Sequence, residues 1–262
     1  FFHKKYDLVG VDWNPPKEKF PNVKYYQADI LDLNQLKEVF FKENPSRVVH
    51  FAAQARIEAS LINPMGTFQI NVSGTINMLE MAKLLNLDQF IYVSSEVIYG
   101  VADSYPCKEI QSFKPDSPYA ASKVSGDVIT QNARGVNWVV ARPGMGYGPR
   151  SNPKEQVVAR FLWNIIHGKP LRFPQEKVVH PTRDLNYIGN FMDGLDLVIE
   201  KNARGVYNLA SGTEISMLKL AEVIHDVLDK GEIVFDPNFH YRPGEEGMRT
   251  WLDISKAKAE LG

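Results

Sequence analysis

Phe90-Ile91-Tyr92-Val93-Ser94-Ser95 is a run of four bulky, β-favouring residues that stops abruptly at two serines. A continuous apolar run has no polar face, so it belongs to a strand covered on both sides, as in a parallel sheet flanked by helices. Hydroxyls at the carboxyl end of such a strand stand where these sheets bind ligands. The same texture recurs along the first half of the chain. Residues 6–11 form a run ending at Asp12, and residues 23–27 lead into Ala28-Asp29-Ile30. Residues 48–51 lead into Ala52-Ala53, and 138–141 into Arg142-Pro143. Helical stretches lie between them. In the one from Asn71, Val72, Ile76, Leu79 and Lys83 keep helical spacing, with the lysine closing the stripe. Strands alternating with helices predict an α/β chain built on a doubly wound parallel sheet.

After Pro149 the texture changes. Asn152-Pro153 is expected to open a helix running to 166, which Gly168-Lys169-Pro170 ends. A proline-rich, loop-like stretch then reaches Arg183. Ser216 should cap a helix whose Leu220, Val223, Ile224, Val227 and Leu228 share one face, closed by Gly231. The expected division is residues 1–150 as a nucleotide-binding domain and 151–262 as a smaller, mainly substrate-binding domain, with some segments returning to the first.

The 262 residues are 44% apolar and 23% charged, which suits a globular chain with a full core. A net charge of −1 offers no long-range attraction to nucleic acid or anionic lipid, so neither is an expected partner. Cys107 is the single cysteine, which excludes an internal disulfide and a multi-thiolate metal site and suggests a reducing cytoplasm. The six histidines show no metal spacing, and no metal is expected. No apolar run approaches the ~20 residues of a membrane span.

Tyr119-Ala120-Ala121-Ser122-Lys123 sets a phenol and an ammonium four residues apart, on one face if the segment is helical. A cation beside a phenol favours phenolate, so the expectation is a Tyr119 pKa below about 10 and a base for a substrate hydroxyl. Alone the pentapeptide is a weak signal. Ser95, at the end of its strand, could share that hydroxyl with Tyr119.

Asp12, Ala28-Asp29-Ile30, His50-Phe51-Ala52-Ala53, Asn71-Val72-Ser73-Gly74-Thr75, Ser94-Ser95-Glu96-Val97-Ile98-Tyr99-Gly100, Ser117-Pro118-Tyr119-Ala120-Ala121-Ser122-Lys123 and Arg142-Pro143 occur in this order. Tyr147-Gly148-Pro149, Thr182-Arg183-Asp184, Tyr207-Asn208-Leu209, Arg242-Pro243-Gly244 and Asp253-Ile254-Ser255 follow. Together they resemble the extended short-chain dehydrogenase/reductases, the group of sugar-nucleotide epimerases and dehydratases. The resemblance implies a Rossmann-like sheet, NAD as cofactor and a nucleotide-diphosphate sugar as substrate.

It also implies roles for single residues. Ser95, Tyr119 and Lys123 would be catalytic, with Lys123 also on the nicotinamide ribose. Asp12 would accept hydrogen bonds from the adenosine ribose and repel a 2′-phosphate, favouring NAD over NADP. Asp29 and Ile30 would hold the adenine, while Phe51, Ala52, Ala53, Ser94 and Pro143 line the cofactor and Asn71 steadies the loop beneath it. Arg183 and Arg242 would grip the diphosphate with their forked guanidinium groups. Glu245 would orient Arg242 or take a ribose hydroxyl, and Glu96 would contact the sugar. A homodimer through the helices beginning near Asn71 and Ser117 is the family's habit.

Three features depart from the family pattern. The opening strand and GxxGxxG turn belong about 20 residues before Tyr6 and are not in this sequence, so weak cofactor binding and an incomplete sheet are expected. Dehydratases carry an acidic residue two positions after the catalytic serine, where this chain has Val97. The family's Arg-x-x-Asn near the diphosphate reads Arg142-Pro143-Gly144-Met145, and a methionine cannot donate to phosphate. C4 epimerisation is therefore the expected reaction. The alternatives are dehydration, decarboxylation or reduction within the family, or a non-catalytic nucleotide-binding fragment.

Overall fold

A computed structural model of the chain describes residues 2–175, 178–241 and 247–262. Strands β1 (Leu8–Asp12) and β2 (Val23–Gln27) are parallel, in register from Leu8 opposite Val23 to Asp12 opposite Gln27. The Asp32 carboxylate accepts from the backbone N–H groups of Asn34 and Gln35 and so starts α1 (Leu33–Glu43). β3 (Arg47–His50) follows, then the short helices α2 (Ile57–Ile62) and α3 (Pro64–Phe68). A wide π turn at Gln69–Ser73 runs into α4 (Gly74–Leu84). Next come β4 (Gln89–Val93), a 3₁₀ turn at Glu96–Tyr99, α5 (Pro118–Gln131) and β5 (Trp138–Pro143).

The later elements are β6 (Met145–Tyr147), α6 (Val157–Ile166), β7 (Leu171–Phe173), β8 (Thr182–Tyr187), α7 (Ile188–Glu200) and β9 (Gly205–Leu209). β10 (Glu214–Ser216), α8 (Met217–Leu228), β11 (Ile233–Phe235) and α9 (Ser255–Leu261) complete the chain. β3, β4, β5 and β9 form one parallel sheet in the order β3-β4-β5-β9. Successive side chains point to opposite faces of a strand, so β4 shows how that sheet is covered. Ile91 and Val93 pack with Phe191, Leu195 and Val198 of α7 and Leu261 of α9. Phe90 and Tyr92 pack with Leu36 and Phe40 of α1 and Met78, Leu79 and Met81 of α4. Both faces are dry, as the unbroken apolar run requires.

Among the described residues, β1-β2 and β3-β4-β5-β9 are separate hydrogen-bonded ladders, the interruption expected of the sheet. The region after Pro149 has a core of its own, where Ile165, Leu171, Phe173, Leu220, Ala221 and Ile224 meet. Phe173 is core there. Helix α6 starts at Val157 rather than near Asn152, because the Asn152 amide oxygen turns back on the Lys154 N–H and the Gln156 side chain returns to the Asn152 N–H. The stretch before Arg183 contains β7, which pairs with β11, and the start of β8, which lies between β10 and β6. Ser216 caps α8 by accepting from the Lys219 N–H at 3.0 Å. The left-handed residue that ends α8 is Asp229, at φ 48°, two residues before Gly231.

Candidate active site

Parallel strands bring their carboxyl ends to one edge, so Phe51-Ala52-Ala53 after β3, Ser94-Ser95 after β4 and Pro143 at the end of β5 share the same rim. Helix α5 starts beside it. The Ser117 hydroxyl accepts from the Ala120 N–H and Pro118 occupies the first turn, where a missing N–H costs nothing. The helix lies close on β4 because Gly126 has no side chain: a Cβ there would stand 2.1 Å from the Tyr92 hydroxyl. Tyr119, Lys123 and Asp127, four residues apart, form one face.

The expected pair is assembled. The Ser95 hydroxyl stands near enough to the Tyr119 phenol to pull its pKa down. Ser95 Oγ also accepts from the Val97 N–H at 3.4 Å, which fixes the turn after β4. Lys123 Nζ donates to the Val93 carbonyl at 2.6 Å and lies 4.5 Å from the centre of the Tyr92 ring.

The electrostatics correct one expectation. Burial pushes the Tyr119 phenol above its usual value, with Ser95 pulling the other way and Glu96 adding to the rise. Burial also brings the Lys123 ammonium down to about 7, against the opposing pull of Asp127. A dry site disfavours the charged form of each group, so the phenol is raised and the ammonium lowered. His50 is held neutral, its pKa down to about 3 through burial and the nearby Lys123, and its Nε2 lies 3.1 Å from Thr75 Oγ1.

Glu96 is the second unusual acid. Burial pushes its carboxyl up to about 8; Arg183 and the backbone of Met145 pull it down, while Asp184 raises it. One carboxyl oxygen is buried without a hydrogen-bond partner. Glu96 is therefore a protonated acid near neutral pH, immediately beside Ser95.

The residues expected at the cofactor are spread along the rim. Asp12 is exposed at the end of β1 and accepts from the Asn14 N–H at 2.8 Å. Asp29 accepts from the Leu31 N–H, and Ile30 packs against Gly74, where a Cβ would meet it at 2.4 Å. Phe51 and Ala52 are exposed, Phe51 edge-on to Phe191. Asn71 is buried and exchanges two hydrogen bonds with the backbone of Gln54, steadying the loop after Ala53, and also donates to Ser122. The Ser94 hydroxyl turns inward and donates to Asp127 at 2.8 Å, so its side chain is committed to the protein.

Arg183 is 8% exposed, with its guanidinium on the carbonyls of Thr182 and Met248. Arg242 and Glu245 lie outside the described residues. Arg142, 1% exposed, pairs with Asp127 through two hydrogen bonds of 2.9 and 3.0 Å. That pair was missed, although an acid four residues after Lys123 on the same face was its visible trace. Among the described residues no group of three or more His, Cys, Asp or Glu could hold a metal, and no helix is long and apolar enough to cross a membrane.

These residues fit a dinucleotide at its two ends. The exposed Asp12 carboxylate can accept from ribose hydroxyls, Tyr119 and Lys123 lie on the first turns of α5, and Ala52, after β3, is small and exposed. A model of the GDP-mannose 4,6 dehydratase family matches residues 10–262. A dTDP-glucose 4,6-dehydratase from Streptomyces antibioticus is 32% identical over 263 residues, covering 98% of this chain and 76% of that protein. The structure of the Thermotoga maritima UDP-glucose 4-epimerase with UDP-glucose matches with a TM-score of 0.89 at 26% identity, covering 99% of this chain and 85% of that one. A double mutant of the Streptomyces venezuelae dTDP-glucose 4,6-dehydratase DesIV, with NAD bound, matches with a TM-score of 0.76 at 26% identity, covering 92% and 74%. With its doubly wound sheet, its Ser95–Tyr119 pair and these relatives, the chain belongs to the GDP-mannose 4,6-dehydratase family of extended short-chain dehydrogenase/reductases, NAD-dependent enzymes that epimerise or dehydrate sugar nucleotides.

Proposed function

We propose that the protein interconverts the C4 epimers of a nucleotide-diphosphate sugar through a 4-keto intermediate. The observation that carries this reading is Val97, an apolar residue where elimination of water needs a carboxylate, beside an assembled Ser95, Tyr119 and Lys123. NAD, when bound, supplies hydride acceptance and return at C4. Asp12 would hold the adenosine ribose, with Asp29 and Ile30 at the adenine. Phe51, Ala52, Ala53 and Pro143 would line its path, and Asn71 would keep the loop after β3 in place. Tyr119 removes the proton of the C4 hydroxyl, with Ser95 bonded to the same oxygen. Lys123 holds the nicotinamide ribose and supplies positive charge beside Tyr119.

On the substrate side, Arg183 and Arg242 would hold the diphosphate and Glu245 would assist Arg242. Residues 1–150 then form chiefly the cofactor domain and 151–262 chiefly the sugar-nucleotide domain. Ile76 and Leu84 of α4 and Val128 of α5 are exposed apolar side chains on the two helices expected to pair in a homodimer. A cytoplasmic location suits an enzyme of sugar nucleotides with one buried thiol.

One observation favours a second reading. Glu96, protonated beside Ser95 and with an unpartnered oxygen, is the type of group that could deliver a proton to a departing hydroxyl in a dehydratase. Incubation with C4-epimeric sugar nucleotides, read by the mass of the product, decides between the two.

A further inference from the structure

Asp127 is fully buried on α5, one turn beyond Lys123 and two beyond Tyr119, and no role at the reacting atoms falls to it. Its carboxylate accepts four hydrogen bonds. Two come from Arg142, at 2.9 and 3.0 Å, one from the Ser94 hydroxyl at 2.8 Å and one from Gln131 at 2.6 Å. Arg142, on β5, also donates to the Tyr99 hydroxyl at 2.9 Å and to the Glu109 carbonyl at 2.8 Å, and Tyr99 donates to Asn208 of β9 at 2.8 Å. One carboxylate thus binds the helix of Tyr119 and Lys123 to the end of β4, to β5 and, through Tyr99, to β9.

We infer that Asp127 is a positioning residue of the reaction: locked in place by Arg142, it seats α5 on the Ser94-Ser95 turn and holds a negative charge one helical turn from Lys123. The placement explains why a charged pair is kept where apolar residues would pack as well, since a buried ion pair is weak evidence for stability in itself. Beyond Asp127, the ammonium of Lys123 is favoured only by neutral groups, the Val93 carbonyl and the face of the Tyr92 ring, among the described residues. Tyr119 stands on its own helix, Tyr92 lies beneath it from β4 and the neutral His50 approaches from β3. The positive Arg142 is paired with Asp127 itself. Without Asp127, Lys123 would sit neutral on the Val93 carbonyl and Tyr119 would lose its cation.

This inference rests on the proposed sugar oxidation only for its kinetic consequence, and the test separates the two. Asp127→Asn keeps the shape and removes the charge. Should it fail to fold, Asp127→Leu/Arg142→Met removes both charges and fills the space. The titration of Lys123 is read by NMR of ¹³C-lysine-labelled protein, its signal identified by its absence in Lys123→Met; kcat and KM are measured alongside. In the folded variant the Lys123 transition should fall by about one pH unit or more. Its kcat should drop about tenfold or more while KM stays within about threefold. A Lys123 transition that does not move, or a kcat within about threefold of the parent, would reduce Asp127 to a strut and overturn the inference. A transition that moves in a parent that turns over no sugar nucleotide would uphold the charge relation and sink the reading of the reaction instead.

Discussion

Lys123 donates to the carbonyl of Val93 at 2.6 Å, so the catalytic helix is tied to the strand whose next residues are Ser94 and Ser95. In the proposed reaction Tyr119, beside Ser95, and Lys123, bonded to the strand below, would have different jobs. Tyr119→Phe should abolish turnover and leave NAD binding nearly unchanged. Lys123→Ala should weaken both. Initial rates with fluorescence titration of reduced cofactor check this. Retention of more than about a tenth of parental turnover in Tyr119→Phe would remove Tyr119 as the base.

Cofactor choice follows from Asp12. Its exposed carboxylate accepts the Asn14 N–H and would repel a 2′-phosphate. The protein should prefer NAD over NADP by at least about tenfold, or about 1.4 kcal/mol. Titration with both reduced cofactors measures it, and equal affinities would mean that Asp12 does not face the ribose.

Glu96 and Lys123 give stability opposite dependences on pH. With a folded pKa near 8 against 4.5, Glu96 keeps a proton that the unfolded chain releases, so its cost accrues as pH rises from 4.5 and is complete above 8. Glu96→Gln does not titrate and should gain on the parent across that window, by at least about 2 °C in Tm at pH 8 compared with pH 5. Lys123, at about 7 against 10.5, costs most below pH 7 and progressively less up to 10.5. Lys123→Met should therefore be most stabilised relative to the parent on the acid side. Thermal unfolding across pH reads both, and parallel profiles would contradict the burial of these groups.

Gly126 is a packing test of the same helix. A Cβ there would meet the Tyr92 hydroxyl at 2.1 Å and its ring at 2.6 Å, the same ring over which Lys123 lies. Gly126→Ala should cost about 1–3 kcal/mol and lower kcat through the displaced Lys123. Chemical denaturation gives the first number and steady-state kinetics the second.

Much of this was legible in residue order. Runs such as 90–93 declare a strand with two dry faces, and the residue at the end of each run lies at the rim by the geometry of parallel strands. Ser216 identified itself as a cap by its place before a helical stripe. What stayed hidden is non-local. β7, β8, β10 and β11 are strands of three to six residues whose partners lie at least about 30 residues away, and short runs carry too little periodicity to announce such pairing. Asn152 looked like a helix start because a side-chain turn and a cap use the same chemistry. The Arg142–Asp127 pair stayed hidden because its members lie on different elements, β5 and α5, and residue order alone does not join them. The pKa of Tyr119 could not be read from its neighbour alone, because burial acts on both members of the pair.

The central claim is tested most directly by the mass of the product. An epimerase needs only a base at the C4 hydroxyl and a pocket in which the keto sugar can turn, which Ser95, Tyr119 and Lys123 beside the apolar Val97 would provide. Incubated with UDP-glucose or UDP-galactose, the protein should interconvert the two with no change in mass and no net release of NADH. A product lighter by one water would contradict the account, identify a dehydratase, and assign the missing proton transfer to Glu96 or a group farther off.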